Sequence, residues 1–174
     1  MSDPRYPIGK YDPQPFSEAL KEQRIDDLRH LPTLLENVVG ELDADQLATP
    51  YREGGWTVQQ LVHHIADSHM NAYIRFKLGL TEDTPTIKPY NEKAWALLAD
   101  SQLPVSVSLT LLHALHIRWA ALLESIAPED WEGRSVIHPD SGKHQTLWFL
   151  LGMYSWHSKH HLAHITTLVE EKAW

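Results

Sequence analysis

The sequence predicts an all-α protein, a four-helix bundle with short extra helices and one small β-hairpin before the last helix. Three observations carry this. Four long segments place apolar residues at spacings of three and four, capping residues open them, and proline and glycine concentrate between them. At 174 residues the chain can bury one good core, so residues 1–174 are expected to form a single domain.

Taken in order, Pro4, Pro7, Pro13 and Pro15 dictate an extended N-terminal arm over residues 1–16. Phe16, Leu20, Ile25, Leu28, Leu31, Leu34, Leu35 and Val38 then mark a first helix, which Pro32 should kink or split. DADQLATPYREGG reads as a short helical turn and a glycine-ended loop. Thr57 and Gln60 make a T-x-x-Q capping box, and the second helix runs to about Leu80 with Val58, Leu61, Val62, Ile65, Ala72, Tyr73 and Phe76 inward. TEDTPTIKPY is a loop because of Pro85 and Pro89, and NEKAWALLA adds a short helix. Pro104 suits the first turn of a third helix carrying Val107, Leu111, Leu115, Trp119, Leu122 and Ile126 and stopping near Pro128. GRSVIHPDSGKHQTL has a Pro-Asp-Ser-Gly turn between two alternating stretches, hence the hairpin, and Thr146 caps a fourth helix that continues almost to the C-terminus.

Composition narrows the chemistry. There is no cysteine, which removes disulfides, thiolate metal sites and a cysteine nucleophile, so any metal must rest on nitrogen and oxygen. A net charge of -8, with no local run of Lys and Arg, argues against nucleic acid as a partner. The start MSDPRYPIGKY is not a basic segment followed by an apolar run, and no stretch approaches the ~18 apolar residues of a membrane span. A cytoplasmic protein without membrane contact is therefore expected. HExxH, GxSxG, GxGxxG and a Gly-Lys-Thr phosphate loop are all missing, as are the paired Glu-x-x-His motifs of a di-iron bundle.

The outlying number is twelve histidines. In WHSKHHLAHI, His157, His160, His161 and His164 fall on one stripe of the fourth helix, since each residue turns about 100°. Imidazoles at i and i+4 can close on one ion. Leu147, Leu150, Tyr154, Ile165 and Leu168 point the buried side toward His161 and His157, which favours that pair and leaves His160 and His164 toward the edge. A third ligand must come from another helix: His63, His64 or His69 on the second, His113 or His116 on the third. By apolar direction His69 is the most inward of the first three, His64 lies on the flank and His63 points away.

Several stretches together resemble one family. YPIGKY, TPYREGGWTVQQLVHHIADSHMNAYIRFKL, TEDTPTIKPY, LPVSVSL and WHSKHHLAHI, in this order, are similar to the DinB-like helical bundles, within them the YfiT group described as metal-dependent hydrolases. The resemblance implies an up-and-down bundle whose metal is held by one histidine of the second helix and an HxxxH pair of the fourth. The family's second-helix ligand stands eight residues after the tryptophan of a W-[ST] start. Trp56 and Thr57 match that start, so the ligand set it implies is His64, His157 and His161, with His160 and His164 as neighbours of the site or surface residues. Related proteins suggest a homodimer.

Three neutral imidazoles leave positions open on a divalent ion, zinc or nickel, where water or a small-molecule substrate can bind. Hydrolysis is the simplest use of such a site. Activation of an external small thiol for S-transfer, or a non-catalytic metal-binding bundle, are the alternatives. Asp67, Asn71, Arg75 and Tyr154 are near enough to consider as acid or base, but Asp67 is expected to be solvated and Tyr154 to be core, so no catalytic residue is assigned.

Overall fold

A computed structural model describes residues 3–174. Four long helices make the body: α1 (Glu18–Val39), α3 (Val58–Thr81), α5 (Val105–Glu124) and α7 (Leu147–Lys172). Between them lie the short helices α2 (Ala44–Leu47), α4 (Glu92–Trp95) and α6 (Asp130–Gly133), and a 3-10 turn at Ala99–Gln102. Strands β1 (Ser135–His138) and β2 (Lys143–Thr146) form the expected antiparallel hairpin, with Ser135 opposite Thr146 and His138 opposite Lys143.

Local chemistry explains where each helix begins. Thr57 accepts from the Gln60 N–H while the Gln60 side chain accepts from the Thr57 N–H, the anticipated capping box. Asp43 and Gln46 repeat the device at α2, and Ser17 and Thr146 cap α1 and α7 through Leu20 and Phe149. Pro104 is the residue just before α5 rather than inside its first turn.

Two features differ from the sequence reading of the first helix and of the bundle. The first helix is continuous, with buried Pro32 inside it. Proline removes only one helical donor, and the packing of Leu28, Leu31 and Leu35 in the core outweighs that loss. The bundle is four-helix, as expected, but its order is not up-and-down. Helix α1 packs on α5 and α7, and α3 packs on the same two, so α1 and α3 face each other across the diagonal. The connections 40–57 and 125–146, which hold α2 and the hairpin, are long enough to cross the ends.

On α5 the buried stripe is Leu109, Leu112, His116, Trp119, Ala120 and Leu123, while Val107 and Leu111, expected inside, are 49% and 39% exposed. This helix is apolar nearly all round, so its spacing admits neighbouring stripes equally well. By length and composition Val105–Glu124 is also apolar enough to cross a membrane, which corrects the expectation that no stretch comes close; here it packs in the bundle against α1 and α3.

The described part of the N-terminal arm runs along α7. Trp148 Nε1 donates to the Gln14 carbonyl at 2.7 Å and Trp156 Nε1 to that of Gly9 at 3.1 Å. Gly152 makes this possible, since a Cβ there would stand 2.2 Å from the Tyr11 hydroxyl and 2.7 Å from Arg24 Cζ. The loop before α4 also touches the hairpin: Ile87 N–H donates to the Ile137 carbonyl, and Ile137 N–H to that of Pro85. Apolar residues then gather in two clusters, one around Leu28, Phe76, Trp119 and Tyr154, the other around Leu35, Ile65, Leu112 and Ile165. Buried histidines lie between them.

Candidate metal centre

Helices α3 and α7 deliver the three residues that the resemblance implied. His64, His157 and His161 each offer a ring nitrogen, and these nitrogens lie within 4.8 Å of one another. His157 and His161, one turn apart on α7, bring their Nε2 atoms to 3.1 Å. Two nitrogens bound to one tetrahedral ion stand about 3.3 Å apart, given metal to nitrogen distances of about 2.0–2.1 Å. The α7 pair is therefore already spaced as such an ion requires. His64 comes from across the bundle, its ring packed on Trp56 at 4.6 Å and facing His161 and His157 at 5.0 and 5.5 Å between centroids.

Burial sets the electrostatics. It pushes His64 down to about 4 and holds His157 and His161 well below the usual imidazole range, the neighbouring imidazoles adding to the effect on both. All three rings are neutral at pH 7, the form whose lone pair binds a metal. A neutral, nitrogen-only donor set, open on one side, fits a borderline divalent transition ion and not a hard oxygen-seeking one.

The remaining histidines separate by their partners. His63 is buried, but its Nδ1 meets Ser108 Oγ at 2.7 Å and its Nε2 the Leu103 carbonyl at 2.9 Å, so both nitrogens are engaged by α5 and the loop before it. His69, the most inward by periodicity, is fully buried one layer behind the centre, with Nε2 3.3 Å from His157 Nδ1. His113 reaches out to Glu36 at 2.9 Å. His160 and His164 are not at the surface: His160 stacks on Trp156 at 4.4 Å and faces Tyr6 of the arm, and His164 packs against Tyr51 at 4.1 Å. With His161 they form a second group of three histidines. All three of its members sit on α7, and it shares His161 with the first group.

A cleft of about 310 Å³ opens beside His157, with Ser68, Arg75, Tyr90, Glu92 and Tyr154 in its wall. Arg75 Nη1 donates to the Tyr154 hydroxyl at 2.9 Å, and its Nε is buried without a partner among the described residues. Tyr154 is 3% exposed, a core residue with its hydroxyl satisfied, as expected. Asp67 is not simply solvated: half-buried, its carboxyl is raised to about 6 by burial first and by the charge of Asp100 second. Asn71 spends its amide on the Asp67 carbonyl at 2.9 Å. Neither Asp67 nor Asn71 lines the cleft. Nothing local in the sequence marks Tyr90 and Glu92, which the loop before α4 and the start of α4 bring to the cleft.

Known proteins share this fold. A family model described as the DinB superfamily matches residues 27–165. The chain belongs to the DinB superfamily. Within that superfamily it is similar to proteins of Bacillus cereus strain AH820 and Bacillus anthracis named "Putative metal-dependent hydrolase", each 51% identical over 175 residues and covered in full by the match, as is this chain. Among solved structures it is similar to YfiT from Bacillus subtilis, described as "a probable metal-dependent hydrolase with an unusual four-helix bundle topology". The TM-score is 0.95 and the identity 50%, over 98% of each chain. The diagonal helix order of this DinB-superfamily bundle accords with that description.

Proposed function

We propose that this protein is a metal-dependent hydrolase that holds one divalent transition ion, zinc or nickel, on His64, His157 and His161. The convergence of these three neutral imidazoles, one of which lines the cleft, supports the reading. An ion bound there supplies Lewis acidity toward a water molecule and a substrate oxygen. The protein supplies the rest. His157 lies both in the ligand group and in the cleft wall, so a substrate in the cleft sits against the centre. Arg75 lines that cleft, its guanidinium steadied by Tyr154 and by the Lys88 carbonyl, and brings a positive charge to the substrate's side of the centre. Burial raises the Tyr154 hydroxyl, so it stays protonated at neutral pH. The apolar flank of α5, with Val107, Leu111 and Ile117 exposed, supports pairing with a second copy of the chain, which sedimentation would test.

The test is metal analysis followed by turnover. Purified protein should carry close to one ion per chain, and loaded protein should hydrolyse members of a panel of esters and amides. Turnover that appears only when a small thiol is added would replace the hydrolase with a transferase.

A further inference from the structure

Pro32 leaves a vacancy in the hydrogen bonding of α1. The Leu28 carbonyl, four residues earlier, has no helical donor because proline has no N–H. His116 of α5 takes that place, with Nδ1 2.5 Å from the Leu28 oxygen. A carbonyl only accepts, so His116 must carry its proton on Nδ1. A neutral imidazole has one N–H, which makes His116 Nε2 an acceptor. Facing it at 2.9 Å is His69 Nδ1, which must therefore donate, leaving His69 Nε2 bare. At 3.3 Å from that atom stands His157 Nδ1. Once more the direction is forced: His157 donates from Nδ1, and its lone pair is on Nε2, the atom turned toward His161 Nε2.

We propose that His69 and His116 are positioning residues, which with the Leu28 carbonyl freed by Pro32 form a one-way hydrogen-bond relay that locks His157 as the Nδ1–H tautomer and presents its Nε2 to the ion. The proposal rests on the ligand set given under Proposed function. Each link is set by packing. His116 is 2% exposed and His69 is fully buried, so bulk water does not compete for either ring. Trp119 stands edge-on to both rings, at 5.6 Å from His116 and 5.5 Å from His69, and Tyr154 meets His69 at 5.8 Å. A hydrogen-bond partner on the far nitrogen of a ligating histidine fixes ring orientation and raises ligand basicity. Here that partner is itself oriented by a second ring and a main-chain carbonyl.

The direction of the relay is directly observable. In protein labelled with 15N-histidine, long-range proton to nitrogen spectra should show His69 and His116 with protonated Nδ1 and bare Nε2, both metal-free and zinc-loaded. A proton on Nε2 of either ring, or averaging between tautomers, would overturn the relay. Zinc affinity by chelator competition gives the second readout. His69→Phe should weaken binding about 10- to 100-fold. His69→Gln, whose amide can donate toward His116 and accept from His157, should recover most of that loss. Equal zinc affinity in wild type and His69→Phe would remove the relay while leaving the ligand set intact. Should the wild type bind neither zinc nor nickel, the ligand assignment fails, and the metal-free spectra still decide the direction of the relay.

Discussion

The layer of histidines between the two apolar clusters has an inner half and an outer half that obey different rules. In the inner half, His69 and His116 are as deeply buried as any leucine, and each nitrogen faces a partner: a carbonyl, the other ring, or His157. In the outer half, His157 and His161 turn Nε2 toward Nε2, and His64 makes ring contacts but no hydrogen bond among the described residues. Burial does not distinguish the halves. What distinguishes them is where the ring nitrogens point, and nitrogens of three residues converging on one place are what a cation satisfies.

The sharpest way to break this comparison is to remove ligands from the outer half. His161→Ala and His64→Ala should each abolish stoichiometric metal binding, lowering affinity by at least about 100-fold, since two imidazoles make a weak site. Metal analysis of both variants beside wild type checks this, and full occupancy in either would mean that the converging nitrogens are not the site. Metal-free stability should fall in His64→Ala only by the lost packing on Trp56, because no hydrogen bond is lost with the ring.

Acid tests the inner half directly. Burial pushes His116 down to about 4 against 6.5 for an exposed ring, the Leu28 bond opposing it only in part. Between these values the unfolded chain takes up a proton that the folded ring refuses, so stability is fully present above pH 6.5 and is lost as pH falls toward 4. For this residue the loss is on the order of 3 kcal/mol. Urea unfolding of metal-free protein at several pH values should show the decline, with a shallower slope in His116→Phe. Equal slopes would mean that the folded ring takes up its proton as readily as an exposed one, and that His116 Nε2 is not held as an acceptor.

His63 sharpens the contrast within a single helix turn, being adjacent to His64 and equally buried but bonded at both nitrogens. His63→Ala leaves the Ser108 hydroxyl and the Leu103 carbonyl without their partner and should cost about 1–3 kcal/mol. Metal affinity should stay within about twofold. The two neighbours would then exchange phenotypes, one losing stability and the other losing metal. Any large metal loss in His63→Ala would show that the α3 to α5 contact also shapes the centre.

Much of this was legible in the sequence, and what was not has identifiable causes. Capping at Thr57 and Thr146 and the hairpin follow from local rules, and the structure bears them out. On α7 the favoured pair His157 and His161 does converge with His64, but His160 and His164, expected toward the edge, are buried as well. Apolar direction alone favours His69, and the structure does make it the most buried of the α3 histidines. It stands one layer behind the converging group, because a residue aimed straight at the core meets the opposite helices, whereas His64 on the flank faces His157 and His161 of the neighbouring helix. On α5 the spacing misleads because polar Ser108 and His116 lie on the buried side while apolar Val107, Leu111 and Ile117 are exposed. Their partners, Pro32's freed carbonyl among them, come from other helices and leave no local trace.

Pro32 offers the smallest and most specific perturbation. Pro32→Ala supplies an N–H aimed at the Leu28 carbonyl, restoring the helical bond and removing proline's clash, so α1 itself should not lose stability. A carbonyl oxygen has two lone pairs, so His116 need not be displaced, but it must share. The weakened bond at that end makes His116 a poorer acceptor for His69, and His69 in turn a poorer acceptor for His157. Zinc affinity should therefore fall by about two- to threefold, a small fraction of the effect that losing an outer-shell partner has outright. The His116 Nδ1 proton signal should move in the direction of a weaker hydrogen bond. A shifted proton signal with unchanged affinity would show that the carbonyl anchors His116 without reaching the metal, and would confine the relay to its last link, His69 to His157.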